Sequence, residues 1–516
     1  MPITAPPGPD TLVVDGDHLT CREIAERAQR PLRVRLPDDA WERVEASHRA
    51  AVAAVEERPV YGRSTGVGAN RGVAIGDPAA HAVDLLRSHA TSAGRPRDAE
   101  RVRAMLLVRL NQLAAGGSGI SAPAVAALVA MVNDDALPPV REFAGIGTGD
   151  LSALATTALG LLGEVPLTHP LPPVRFGVHD ALPFLSSNAA TLGDVALATR
   201  RLQVLARSAL AVAGLTAVAV GANLEAFSDA VADRTPGAGG AEVCRTVRAL
   251  CAPAPPAGAR IQDPFALRCL PQVHGSVLDA LAHVEALADA HVNVAAENPL
   301  ILPRPPASPP TAPPPSALPA GGAGPRYDVV HHGGFHLPGL ALVCDAAAIA
   351  VARSVPLLLG RLAMLNDPAA TGLPPFLGDG RPGASGVMLL EFVAGSALAV
   401  LRSAAVPASL GTVSISRGAE DDASFASRAA VQLFEAADAW STALACELVA
   451  AVRALRMRGV AVPDEGWGAV LAACADLPAG FTDRDLTGDV AAAEGLLPAI
   501  ATIATTSLRT GRPCDR

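Results

Sequence analysis

The chain contains two tyrosines, and the first opens the stretch Tyr61-Gly62-Arg63-Ser64-Thr65-Gly66-Val67-Gly68. A phenol in a polar glycine loop can serve as a general base when neighbouring charge lowers its pKa, or it can simply cap the core. The same stretch has a formal G-x-S-x-G around Ser64, but a nucleophile elbow needs a buried strand before the serine and a helix after it. Charged Glu56-Glu57-Arg58 precedes it and more glycine follows, which argues against a serine hydrolase. A second candidate is "EFAGIGTGDLSALATTALGLLGE", residues 142–164, where Gly145, Gly147 and Gly149 permit positive φ. Asp150 stands at the N-cap position of the Ala/Leu helix that follows. Helix N-termini attract anions, yet the loop lacks the dinucleotide fingerprint and Asp150 would repel phosphate, so no nucleotide is expected.

Four further groups carry chemistry-bearing side chains. Ser88-His89 closes a helix. "RIQDPFALRCLPQ" brings together Gln262, Asp263, Phe265 and Arg268, whose guanidinium can grip a carboxylate bidentately or make an internal salt bridge. "HHGGFH", 331–336, invites a metal, but no carboxylate follows at ligand spacing and no metal is expected. Glu420, Asp421 and Asp422 stand at a predicted helix start, where carboxylates favour the macrodipole.

The elements that must position these groups are long Ala/Leu helices, predicted over 97–115, 121–134, 151–163, 188–220, 274–296, 338–365, 387–407 and 423–456. Half of the 516 residues are hydrophobic and only 3% aromatic, so the core must be aliphatic helix-on-helix packing. A net charge of −9 argues against nucleic acid or an anionic membrane surface as partner. All basic side chains are arginine. The eight cysteines show no C-x-x-C, which fits a reducing compartment, and the N-terminus has no signal-peptide pattern. Asp345 and Arg353 interrupt the most apolar helix, so no membrane span is expected and the chain reads as cytoplasmic. The Pro/Ala-rich stretch 299–325 reads as a disordered insert. The predicted division is an N-terminal region over 1–200, holding the Tyr61 and Gly147-Thr148-Gly149 loops, and a helical bundle over 201–516.

In their order along the chain, these segments resemble the histidine/phenylalanine ammonia-lyase family. The family's Y-G-x-N-T-G-x-G loop corresponds to 61–68, and its R-x-N-x-x-x-x-G-x-S-G segment to "RLNQLAAGGSG" with Arg109, Asn111, Ser118 and Gly119. Its A-S-G-D-L motif corresponds to Gly147-Thr148-Gly149-Asp150-Leu151. "LSSNAAT" with Asn188, "QDPFALRCLPQ", "ENPL" with Asn298, "GGFH" with Phe335 and "AEDDAS" with Glu420 follow. The resemblance implies a mainly α fold of the ammonia-lyase (fumarase/aspartase-like) superfamily, an elongated bundle of long central helices with a smaller mixed N-terminal region. It also implies a homotetramer whose sites draw on three chains.

The implied cofactor is a methylidene-imidazolone (MIO) group formed when the Gly149 nitrogen attacks the Gly147 carbonyl and water is lost, leaving an alkene on residue 148. Tyr61 would remove the substrate's β-proton, Arg268 would hold its carboxylate with Gln262 and Phe265 alongside, and Asn188 would orient the amine or the adduct. Phe335 would pack near the ring, Glu420 would contact the amine or side chain, and Ser88-His89 would select the side chain in a manner closer to histidine lyases. The partner is then a small amino acid. The chain departs from the pattern where Thr148 replaces serine, Phe265 tyrosine, Gly334 asparagine, Ala419 glutamine and Asp422 histidine, and Arg63 adds a charge to the Tyr61 loop. Three outcomes stay open: an ammonia-lyase, a 2,3-aminomutase, and an MIO-less homologue with altered chemistry or a binding role.

Overall fold

The structure is a computed structural model describing residues 11–252, 260–304 and 327–510. It is 61% helix, so the fold is mainly α, as expected. The eight predicted long helices are Ala99–Ala114, Ala122–Asn133, Leu151–Leu161, Ala189–Ala219, Leu270–Val292, Pro338–Asn366, Leu389–Ala404 and Ala426–Arg458. The helix predicted from 274 begins earlier and stops at Val292, where Asn293 turns the chain by accepting Leu19 N–H at 2.9 Å. Ala238–Cys251 and Thr487–Thr510 were absent from the predicted set; glycines and an internal Pro498 blur their periodicity. The strands form three two-stranded sheets. Thr11–Val13 pairs in parallel with Arg33–Arg35, Ala93–Pro96 antiparallel with Arg141–Phe143, and Leu300–Pro303 antiparallel with Tyr327–Val330. The last pair corrects the predicted insert, whose residues 300–303 are strand; residues 305–325 lie outside the described residues.

The chain forms two compact units, one of residues 1–197, 285–342 and 408–430, the other of 198–284, 343–407 and 431–516. In the first, helix Ala99–Ala114 is buried along both faces from Ala104 to Ala114 and packs on Cys21–Ala28 and Ala122–Asn133. Helix Cys21–Ala28 starts from a capping box, with Thr20 accepting Glu23 N–H and Glu23 reaching back to Thr20 N–H. Helix Pro78–His89 starts at Asp77, which accepts from Ala79 and Ala80, and packs on Leu151–Leu161. Several buried charges are paired. Asp194 accepts from Arg97 at 2.6 Å and Arg101 at 2.8 Å, while Arg109 lies 2.8 Å from Glu297. In the second unit, Glu447 receives both arms of Arg361 at 2.7 Å and the Thr216 hydroxyl at 2.8 Å.

By length and composition alone, four segments could cross a membrane: Ala181–Ala219, Pro338–Asn366, Leu389–Leu410 and Thr487–Ser507. Asp345 and Arg353 therefore do not take Pro338–Asn366 out of that class, contrary to the sequence expectation. The apolar window of Ala181–Ala219 is 78% buried within the protein.

Candidate active site

The glycine loop is held from one side by the segment that leads into helix Ala426–Arg458. Three successive carbonyls are gripped: Gly145 O accepts from Ser427 Oγ at 3.1 Å, Ile146 O from Phe425 N at 3.0 Å, and Gly147 O from Ser424 Oγ at 3.0 Å. Gly147 has φ +90°, and a β-carbon there would lie 2.1 Å from Ser424 Oγ and 2.7 Å from Phe425 N. Only glycine permits that approach. The holding segment is itself strained, with Ser416, Arg417 and Phe425 at φ +53°, +56° and +48°. Such left-handed non-glycine residues cost on the order of 1–3 kcal/mol each and concentrate at functional sites.

Asp150 is the N-cap residue of Leu151–Leu161, but its side chain does not cap that helix. It reaches instead to the start of Ala189–Ala219, accepting Thr191 N–H at 2.7 Å and the Thr191 hydroxyl at 3.0 Å, while its own N–H donates to Ser187 O at 2.7 Å. Burial raises the Asp150 carboxyl above its usual pKa. The loop is thus tied to the Ser186-Ser187-Asn188 turn on its other side.

A cavity of about 660 Å³ in the same unit is lined by Tyr61, His89, Thr148, Gly149, Phe335 and Glu420. The Tyr61 hydroxyl accepts Gly68 N–H at 2.8 Å. Burial raises its pKa above the ordinary tyrosine value; the Gly68 N–H opposes this, Glu420 adds to it, and Arg71 opposes it more weakly. The lowered phenol pKa that base chemistry invites is therefore not present in the free chain. Glu420 is set by a bridge to Ile415 and lies in a loop, not in the first turn of a helix as expected. His89 Nδ1 lies 2.9 Å from Leu85 O; a carbonyl only accepts, so Nδ1 carries the proton there. Ser88 Oγ donates to the same carbonyl at 3.1 Å and does not line the cavity.

Gly147 and Asn188 do not line the cavity. Asn188 is 2% exposed, and neither polar atom of its amide has a hydrogen-bond partner among the described residues. A buried amide left without partners at the foot of the loop, with Gly147 packed where no β-carbon fits, suits a ring formed from Gly147-Thr148-Gly149 with Asn188 beside it. Gln262, Phe265 and Arg268 belong to the second unit. There Gln262 and Phe265 are exposed, and the Arg268 guanidinium stacks over the Phe265 ring at 4.2 Å, in no ion pair among the described residues. Arg63 adds no charge to the cavity: fully buried, it donates to Ser118 O at 2.6 Å and His179 O at 3.0 Å, and burial pushes its pKa down to about 10.

The structure adds residues that spacing alone did not assign. Asn70, Arg71, Asn298, His331 and Ser416 also line the cavity. Each histidine of "HHGGFH" has its own task. His331 stands edge-on to Tyr61, with ring centres 6.4 Å apart, and its Nε2 accepts Tyr61 N–H at 3.4 Å. His332 Nε2 donates to Glu297 O at 2.6 Å, and His336 lies between Gly147 O, 3.1 Å from Nδ1, and Asp422 Oδ2, 2.9 Å from Nε2. The signal was present in the sequence, but it was weighed only as metal spacing. Among the described residues no group of three His, Cys, Asp or Glu could hold a metal ion.

Comparison with known proteins follows the same lines. The aromatic amino acid lyase family matches residues 19–476. Histidine ammonia-lyase of Symbiobacterium thermophilum is 32% identical over 466 residues, 86% of this chain and 88% of that protein. Histidine ammonia-lyase of Trypanosoma cruzi superposes with a TM-score of 0.84 at 24% identity, covering 98% of this chain and 96% of that one. Tyrosine aminomutase of Streptomyces globisporus gives 0.83 at 22% identity, covering 98% and 99%. With its loop geometry, helical architecture and near full-length match, the chain belongs to the aromatic amino acid lyase family.

Proposed function

We propose that the protein is an ammonia-lyase that eliminates ammonia from a histidine-like or aromatic α-amino acid to give an α,β-unsaturated acid. The observation that carries this reading is that Tyr61, Thr148, Phe335 and Glu420, drawn from four separated stretches, line one cavity beside a loop whose carbonyls are anchored. The ring that Gly147-Thr148-Gly149 would form supplies an electrophilic alkene to the substrate amine. The chain's own residues do the rest. The Tyr61 oxygen takes the β-proton, with Gly68 N–H stabilising the phenolate. Glu420 orients the amine, His89 meets the side chain, and Phe335 walls off the reacting carbon. Asn188 gives its unpaired amide to the ring's surroundings.

In this reading Arg268 reaches the substrate carboxylate from a second copy. Exposed Ile261, 91% accessible, and Phe265, 62% accessible, flank it as an apolar collar. The assembly is a cytoplasmic homotetramer; the seven described cysteines are all free thiols, as a reducing compartment allows. The test is intact mass with peptide mapping across 142–164, followed by ammonia release from a panel of L-amino acids. A deficit of two waters at 147–149 and release from histidine or an aryl amino acid supports the lyase. An unmodified Thr148 with no release from any amino acid overturns it and favours a binding role. Return of a β-amino acid in place of an unsaturated acid identifies an aminomutase.

A further inference from the structure

The Gly147 carbonyl oxygen has both of its lone-pair sites occupied. Ser424 Oγ donates to it at 3.0 Å, and His336 Nδ1 faces it at 3.1 Å. The other nitrogen of the same ring faces the Asp422 carboxylate at 2.9 Å, and Thr412 Oγ1 donates to that carboxylate at 3.0 Å. Carbonyl and carboxylate oxygens only accept. The ring therefore satisfies both neighbours only with a proton on each nitrogen, as a cation directed at one backbone oxygen. A peptide carbonyl gripped by a cationic donor and a hydroxyl is polarised toward attack at its carbon. His336 is 24% exposed at its side chain, so it can exchange protons with solvent. The hydrogen bond from His336 holds the Asp422 carboxyl below its usual pKa, followed in effect by that from the Thr412 hydroxyl.

We infer that His336, oriented by Asp422 and assisted by Ser424, is the acid catalyst that closes the 147–149 loop on itself. The inference rests on the ring-forming reading of that loop proposed above, and it assigns an agent to the chain's own self-modification. The Gly149 nitrogen bonds to the Gly147 carbonyl carbon, and the electrons of the C=O double bond pass to oxygen. That oxygen takes the His336 Nδ1 proton, while the Gly149 N–H proton leaves to solvent, which reprotonates the histidine. The oxygen then departs as water with the Thr148 amide proton, leaving a C=N bond. Loss of the Thr148 Cα proton with its β-hydroxyl removes the second water and forms the alkene. No oxidant or external reactant is required. The anchored carbonyls of Gly145 and Ile146 keep the attacked carbon stationary while the nitrogen moves. His336 touches a reacting atom; Asp422 and Ser424 position and share the load. Asp422 stands where the family pattern has histidine, so this cation–carboxylate pair is a feature of this chain.

The experiment follows water loss after synthesis of the full chain in a cell-free system, by intact mass and by the peptide spanning 142–164. The variants are His336→Ala, Asp422→Asn, Asp422→Glu and Ser424→Ala, each checked for folding by circular dichroism and thermal midpoint. The wild-type chain is expected to lose two waters. His336→Ala should do so on the order of 10²-fold more slowly, the effect of removing one preorganised donor. Asp422→Asn keeps the shape and loses the charge, and should slow closure about tenfold, whereas Asp422→Glu should stay near wild type. Because Asp422 is exposed, that pair keeps the test decisive even where His336→Ala fails to fold. A wild-type chain that loses two waters with Asp422→Asn closing at the same rate overturns this inference and leaves the lyase intact. A wild-type chain of unmodified mass overturns the ring-forming reading and this inference with it.

Discussion

In the proposed lyase, Tyr61 and Thr148 set how fast the chemistry can run. The Tyr61 phenol sits above its ordinary pKa because burial disfavours its charged form, so as the proposed base it is protonated at neutral pH and a rising fraction becomes competent as pH increases. We therefore expect kcat/KM to climb with pH through the alkaline range, and Tyr61→Phe to abolish that limb while lowering kcat at least 10²-fold, as initial rates across pH would measure. Thr148 carries a methyl that a serine lacks, and an alkene bearing it is more hindered. Thr148→Ser should raise kcat about tenfold, equal to a barrier lowered by about 1.4 kcal/mol, provided both chains lose two waters. The tyrosine loop, the Gly-Thr-Gly loop and Glu420 were legible because their residue types are rare and their order is distinctive. The approach of His336 to Gly147 was not, because a hydrogen bond to a carbonyl 189 residues away leaves no local pattern.

Elements carry the stability that keeps these residues in register. Asp194, at the head of helix Ala189–Ala219, is fully buried between Arg97 and Arg101. Asp194→Asn removes the buried charge that pairs two nearly buried guanidinium groups, and should cost about 3–5 kcal/mol in chemical denaturation. His274 in the second unit is buried, donates from Nε2 to Ala206 O at 2.8 Å, and is pushed down to about 4 by burial. A histidine depressed in the folded state is held neutral there, so its contribution is fully present above the unfolded value near 6.5 and is lost as pH falls toward 4. Across that window stability should drop by roughly 3 kcal/mol, and a His274→Gln chain that still folds should show a flatter curve. Helix existence was readable from periodicity in all eight predicted segments. Side-chain destinations were not: Asp150 occupies the N-cap position the sequence indicates, yet it serves a different helix, because the Ser186-Ser187-Asn188 turn brings Thr191 within reach.

At the scale of the whole molecule, the apolar surface is the informative feature. Leu389, Phe392, Val393 and Val400 recur at helical spacing along Leu389–Ala404, each between 39% and 66% exposed. A face of that kind marks an interface. Sedimentation should find an oligomer, and Phe392→Glu should shift it toward smaller species. If Arg268 is supplied by a neighbouring copy, the same variant should lose activity in step. Composition had announced an aliphatic helical core, but not which helices leave apolar faces uncovered, since periodicity alone does not say what lies opposite a face.

The grip on Gly147 also sets a timetable. Ser424, which holds that carbonyl, lies 277 residues further along the chain. A ribosome therefore delivers the glycine loop long before it delivers the residues that anchor it, and a nascent or truncated chain ending before Ser424 lacks all three of the hydrogen bonds to its carbonyls. Whatever the loop becomes, it becomes only after translation has passed that point and the distant segments have met. The loop is in effect a seal of completeness, and the mass of released fragments would reveal whether it had been set.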